Sequence, residues 1–149
     1  TTYDVIEEVI TKYKKNGSQF DNICCIYPCA PFITKQKLDL ALKTLINNKF
    51  DTVFPIISYN FPIQRALKLT DGRIEFFNPK YSNTRTQDLE KSYHDAGQFY
   101  WMRTEKVLAN KKIITTNCGS ILISELEGQD IDNEKDWKLA EMKFRALNK

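Results

Sequence analysis

Two short apolar runs, Asn22 to Tyr27 and Thr52 to Ile57, stand on either side of a helix-patterned stretch from about Lys35 to Asn47. Runs of that length bounded by turn residues read as buried strands. A strand-helix-strand unit implies parallel strands joined by a right-handed crossover, and ligands in such sheets collect beyond the carboxyl ends of strands. The Tyr27 to Phe32 loop, stiffened by Pro28 and Pro31, sits at such an end. It reads equally as a ligand loop or as a rigid connector.

Around this unit the pattern continues. Residues Tyr3 to Lys15 place Val5, Ile6, Val9, Ile10 and Tyr13 at helical spacing before a stop at Asn16-Gly17. The sequence opens almost inside a helix, with no strand and no glycine-rich loop ahead of it, and is expected to be a fragment. From Ala66 to Phe77 it alternates across Asp71-Gly72, with Leu67 and Leu69 on one arm and Ile74 and Phe76 on the other, which predicts a hairpin. Such a ribbon is either an arm for a partner subunit or an excursion on its own subunit. A polar stretch, Asn78 to Asp95, leads to an aromatic strand at Gln98 to Met102 and a short helix at Thr104 to Ala109. Further strands are expected at Ile113-Ile114 and at Gly119 to Ile123. A last helix carries Trp137, Ala140, Phe144 and Leu147 as a stripe that reads as core packing.

Composition narrows the classes. With 149 residues, 42% of them hydrophobic, the chain can bury a core as one domain. Its net charge of +3 is mild and its lysines are scattered among acids, which speaks against nucleic acid as a partner. No apolar run approaches the ~20 residues that cross a bilayer and no leader pattern opens the sequence, so a soluble cytoplasmic protein with no membrane partner is expected. Cys24, Cys25, Cys29 and Cys118 show no Cys-x-x-Cys spacing, and His94 is the single histidine, which argues against zinc. Cys24 and Cys25 read as buried reduced thiols, and Cys29, between two prolines, as exposed.

Two groups of residues carry chemistry. Asp130 and Asp132 are one residue apart just before the last helix, and in an extended segment both would face one hard cation such as magnesium. The competing reading is local: Asp132 or Asn133 caps the helix, with Asp136 closing a capping box on Asn133. Upstream, Arg85, Gln87, His94 and Arg65 form the polar side of the segment between hairpin and aromatic strand. Arginine clamps a carboxylate or phosphate through two parallel hydrogen bonds, and glutamine and histidine complete recognition of an oxygen-rich ligand such as a sugar acid. Each alone reads first as a solvated surface residue, and their clustering does not remove that reading.

The run Cys25-Ile26-Tyr27-Pro28-Cys29-Ala30-Pro31 resembles the substrate loop of the acylneuraminate cytidylyltransferases. Phe61 to Leu67, Arg85 to Leu89, Tyr93 to Trp101 and Gln129 to Asp132 with Asp136-Trp137 follow in the order of that family. The run His94-Asp95-Ala96-Gly97-Gln98-Phe99-Tyr100-Trp101, together with Tyr27 in place of a glutamine, is most similar to the branch that activates pseudaminic acid. The resemblance covers nearly the whole chain. It implies a Rossmann-like α/β nucleotide-diphospho-sugar transferase fold in one domain over residues 1–149, lacking its N-terminal nucleotide-binding part. An inserted hairpin arm, at about residues 59–103, would pack into a second subunit of a homodimer.

The implied activity is that of a nucleotidyltransferase moving CMP from CTP to the anomeric hydroxyl of a nonulosonic acid, with magnesium or manganese, releasing pyrophosphate. In the pseudaminic branch the product serves cell-surface or flagellar glycosylation. By resemblance Asp130 and Asp132 are the metal-binding, catalytic acids. Arg85, Gln87, Tyr100 and Phe99 line the sugar-acid pocket with Tyr27 at its floor, and His94 stands where relatives often carry an arginine. Full members begin with a strand and a glycine-rich loop that cradles the CTP phosphates, so this chain alone is expected not to turn over. CMP-N-acetylneuraminate synthesis, a sugar-nucleotide glycosyltransferase and a non-catalytic dimerisation module are the alternatives. The second is disfavoured by an Asp-x-Asp placed just before the last helix.

Overall fold

The structure, a computed structural model, describes residues 1–148 and is a mixed α/β arrangement. Its elements begin with α1 (Thr2–Lys15), β1 (Asn22–Ile26), α2 (Lys35–Asn47) and β2 (Thr52–Ser58), then the hairpin strands β3 (Leu67–Thr70) and β4 (Arg73–Phe76). They continue with β5 (Tyr93–Asp95), β6 (Phe99–Arg103), α3 (Thr104–Asn110), β7 (Cys118–Leu122) and α4 (Glu134–Leu147). No helix among the described residues is long and apolar enough to cross a membrane.

β1 and β2 run in the same direction, as a strand-helix-strand unit demands, yet they are not neighbours. β6 lies between them and antiparallel to both, pairing Tyr100 with Cys25 on one side and Trp101 with Val53 on the other. The two strands are parallel as expected, with an antiparallel strand inserted between them. The parallel ladder joins β2 to β7, from Thr52↔Cys118 to Ile56↔Leu122. The physical reason lies in β6 itself, whose Phe99-Tyr100-Trp101-Met102 run is apolar on both sides and needs a central position covered on both faces.

Successive side chains of a strand point to opposite faces. Phe99 therefore joins Ala41 and Leu45 of α2 with Val53 and Ile121 on one face. Tyr100 and Met102 join Tyr3 and Ile6 of α1 and Val107 of α3 on the other. Phe99, Leu45 and Met102 are fully buried, each contributing about 1.5–3 kcal/mol relative to an exposed position. α1 starts at a capping box between Thr1 and Asp4 and turns Tyr3, Ile6 and Ile10 inward. Val5, Val9 and Tyr13 of the expected stripe stay exposed.

β5 and β6 are two halves of one kinked strand. From Ile56↔Asp95 to Val53↔Trp101, β2 advances three residues while its partner advances six, so three extra residues are absorbed in a bulge at Gly97, where φ is +64°. The hairpin forms as expected, with one face of Leu67, Leu69, Ile74 and Phe76 and a Lys68–Glu75 ion pair on the other. No strand forms at Ile113-Ile114. The Ile113 carbonyl accepts a 2.7 Å hydrogen bond from Thr52 Oγ1, and the side chain packs beneath α1.

The stripe expected on α4 is also corrected. Ala140 is buried, but Trp137 and Phe144 are each 54% exposed and Leu147 is 43% exposed. The inward face is Asp136, Ala140 and Lys143 instead, because the two polar side chains bind the backbone of the preceding loop. That loop is also tied to α2. Lys37 Nζ lies 2.8 Å from Glu127 Oε1 and donates to the Phe32 carbonyl, and Gln98 Nε2 donates to the Glu127 carbonyl.

Two outcomes are expected. Phe99→Ala should destabilise the chain by about 3–5 kcal/mol in urea unfolding, as loss of a core aromatic does; an unchanged midpoint would place Phe99 outside the core. The second concerns acid. The hydrogen bond from Lys37 holds the Glu127 carboxyl below its ordinary 4.5, against the opposing effect of burial. A depressed carboxylate stabilises the fold fully above its unfolded value and loses that contribution as pH falls through the folded one. Lys37→Met should therefore cost about 1–2 kcal/mol at pH 7, and the gap to the parent should shrink as pH is lowered below the ordinary glutamate value. A gap independent of pH would remove the ion pair as its cause.

Candidate functional site

A cavity of about 360 Å³ opens beyond the carboxyl end of β2. Three pieces of chain make it: Ile57 at the end of β2, the kink His94 to Gly97, and the loop Gly128 to Asp130, closed from behind by Lys143 of α4. Gly128 permits that closure, since a Cβ there would sit 2.1 Å from Ile57 Cδ1.

The kink fixes a carboxylate at the cavity wall. Asp95 Oδ1 accepts the Gly97 N–H at 2.8 Å and Oδ2 accepts the Tyr100 hydroxyl at 2.6 Å. Burial, and then the bond to Asp95, push the Tyr100 hydroxyl far above its ordinary value, so it stays a donor. Tyr100 is packed between Tyr27, ring centroids 5.3 Å apart, and Phe54, at 5.6 Å. Tyr27 OH lies 3.3 Å from Thr2 Oγ1. His94 Nδ1 donates to the Asp95 carbonyl at 2.9 Å, which leaves Nε2 as the free ring nitrogen, and its ring lies 4.9 Å from that of Tyr59. The lining thus combines acidic and amide residues with an imidazole, suited to a hydroxyl-rich ligand, while Tyr27, Phe54 and Tyr100 pack together outside it.

Asp130 lines the cavity and Asp132 lies outside it; both are exposed. Neither caps α4. Asn133 Oδ1 accepts from Lys135 N–H at 2.9 Å and Asp136 N–H at 3.2 Å, while Asp136 Oδ2 accepts from the N–H groups of Asp132 at 3.1 Å and Asn133 at 3.2 Å. The local capping reading therefore applies to Asn133 and Asp136, and both acids are left out of the cap. Among the described residues no group of three or more histidine, cysteine, aspartate or glutamate side chains could hold a metal ion. A carboxylate pair fits magnesium in the mode that keeps waters and adds substrate phosphates, and it does not fit a site closed by protein ligands alone.

The other residues singled out in the sequence lie elsewhere. Arg85 pairs with Asp88, its Nε 2.9 Å from Oδ2, and Gln87 is exposed on the same turn. Arg65 is half-buried next to the hairpin, and its Nε is buried without a partner. None of the three lines the cavity with Asp130. Phe99 is fully buried against α2, because strand alternation turns it away from the face of Tyr100. Sequence reasoning passed over Asp95 and Lys143. Asp95 had a signal, since aspartate two residues before glycine favours an Asx turn; Lys143 had none short of the helix rotation. A larger hollow of about 570 Å³, between the end of α1 and α3, lies at the opposite end of the sheet, where β1 begins and β6 ends.

No family model matches this sequence. The chain is 29% identical over 143 residues to the pseudaminic acid cytidylyltransferase of Campylobacter jejuni serotype O:2, a match covering 95% of this chain and 62% of that protein. It is 28% identical over 142 residues to its counterpart in serotype O:23/36, covering 95% and 61%. A Helicobacter pylori protein named pseudaminic acid cytidylyltransferase and UDP-2,4-diacetamido-2,4,6-trideoxy-beta-L-altropyranose hydrolase is 29% identical over 130 residues, which are 87% of this chain and 25% of that protein. The chain spans about three fifths of the length of the Campylobacter relatives. Over 95% of its own length, it is a homologue of the pseudaminic acid cytidylyltransferases.

Proposed function

We propose that this chain supplies the sugar-acid and metal side of a cytidylyltransferase that moves CMP from CTP to the anomeric hydroxyl of a nonulosonic acid, pseudaminic acid by similarity. The observation that carries the reading is the similarity over 95% of the chain, and the resemblance of the acidic pair and the His94 to Trp101 run to the family's motifs supports it. The sugar oxygen forms a bond to the α-phosphorus of CTP, the bond from that phosphorus to the leaving oxygen breaks, and pyrophosphate departs. A bound magnesium would offset charge on the phosphates and lower the pKa of the attacking hydroxyl.

In this reading Asp130 and Asp132 hold the metal. Asp95, held by Tyr100 and Gly97, accepts hydrogen bonds from sugar hydroxyls, and Tyr27 and Tyr100 form the wall behind it. Arg85 and Gln87 meet the sugar carboxylate from the arm of a second copy. The exposed apolar residues Leu67, Leu69, Ile74 and Phe77 of the hairpin region support that homodimer. The sheet is then part of a Rossmann-like fold whose phosphate cradle is supplied by segments the longer relatives carry.

A chimera in which residues 1–149 replace the matching segment of the Campylobacter jejuni relative tests the reading through pyrophosphate release with CTP and magnesium. Release with pseudaminic acid and little with N-acetylneuraminic acid is expected, and none from the 149-residue chain alone. A folded chimera active on neither sugar overturns the proposal, and preference for N-acetylneuraminic acid moves the substrate to the sialic branch. In the same chimera Asp132→Asn should lower turnover at limiting magnesium by about a hundredfold or more. Because Asp132 caps nothing, its unfolding midpoint should move by no more than about 0.5 kcal/mol. Full activity at low magnesium would remove Asp132 from the site.

A further inference from the structure

α4 grips the segment that carries Asp130 at both of its ends. On the N-terminal side, Lys143 Nζ donates to the backbone carbonyls of Glu125 at 3.1 Å and Gly128 at 2.7 Å. On the C-terminal side, Asp136 Oδ2 accepts from the backbone N–H groups of Asp132 at 3.1 Å and Asn133 at 3.2 Å. Asp136, Ala140 and Lys143 stand at i, i+4 and i+7, one face of the helix, and that face is turned inward.

The choice is physically costly. A charged side chain turned toward the protein is tolerated when its hydrogen bonds are made, and here they are made to the backbone on either side of one short stretch. Trp137 and Phe144, the larger apolar residues of the same helix, are left in solvent instead. Gly128 to Ile131 has no regular secondary structure of its own, so what grips its ends sets its shape. Its near end is further located by the close approach of Gly128 to Ile57. Lys143 and Asp130 line the same cavity.

We propose that Lys143 and Asp136 are positioning residues: they clamp the backbone on both sides of Asp130, so that Asp130 is held at the cavity and Asp132, just outside its lining, is fixed on the same segment. The inference rests on the reading that this pair holds a divalent cation. With only two carboxylates to offer, the affinity of the pair depends on their being in place before the ion arrives, and loss of such supporting partners costs about 10–100-fold in metal affinity.

The test uses this chain, with manganese(II) as the probe. Free manganese is read by electron paramagnetic resonance, and backbone order over residues 124–133 by hydrogen exchange with mass spectrometry. Lys143→Met, which keeps the side-chain stem, should weaken manganese binding by about tenfold or more and speed exchange in that segment. Lys143→Arg should restore both. Asp130→Asn should abolish binding without changing exchange. Lys143→Met that binds and exchanges like the parent, in a protein with unaltered circular dichroism, overturns the clamp while the metal pair stands. Binding in the parent that is absent, or insensitive to Asp130→Asn, overturns the metal pair and with it the positioning role, whatever the exchange shows. Faster exchange in Lys143→Met with unchanged, Asp130-dependent binding overturns the positioning role alone.

Discussion

β6 sits between two strands that run against it, and the rest of the molecule follows from that placement. A strand hydrogen-bonded on both edges and apolar on both faces must be covered twice, which calls for α2 on one side and α1 with α3 on the other. To reach its slot from β5, which lies along the same edge of β2, the chain has to absorb three extra residues, and it does so in the bulge at Gly97. The bulge turns the Asp95 carboxylate back onto the Gly97 amide and the Tyr100 hydroxyl. A packing requirement at the centre of the sheet thereby builds one wall of the cavity, and the site cannot be moved without unpacking the core.

The elements were more legible than their arrangement. Helices announced themselves through spacing and caps, and the hairpin through Asp71-Gly72, because these signals are local. The neighbour of β1 is not a local property. Nothing within Asn22 to Ile26 says whether a parallel or an antiparallel strand will lie beside it, and the intervening β6 arrives more than seventy positions later. The rotation of α4 failed for a related reason. An apolar stripe is read by summing hydrophobicity, and Trp137, Phe144 and Leu147 outweigh Asp136 and Lys143 on that scale. The structure weighs hydrogen bonds to a loop that no periodicity reports.

Of the residues the sequence singled out for a site, the structure brings only some to one cavity. His94 and Asp130 line one cavity, and Tyr27 lies tilted against Tyr100 outside its lining. Asp95, which joins those two groups, lies within the His94 to Trp101 run, and its role depends on a backbone turn. Phe99 and Tyr100 are adjacent in sequence and share aromatic character, so only strand parity separates a core residue from one bonded to the cavity wall.

Charge decides how the proposed substrate must be held. The cavity is lined by the acidic residues Asp95, Glu125 and Asp130, while the ammonium of Lys143 is directed at backbone carbonyls. A sugar acid entering that space brings its own carboxylate and, beside CTP, further negative charge. Left alone, such a site would repel its ligand at the short distances where hydroxyl recognition works. Under the proposed reading, a divalent cation on the acidic pair removes part of the repulsion, and an arginine from outside the cavity removes the rest. Arg85 is one such group: 71% exposed, it is engaged with Asp88 on the segment between hairpin and β5. That exposed ion pair contributes little in water, so exchanging Asp88 for a ligand carboxylate costs little. Under the same reading the separation of anionic wall from cationic segment in one chain is no defect, since the proposed site needs both halves to hold a sugar acid.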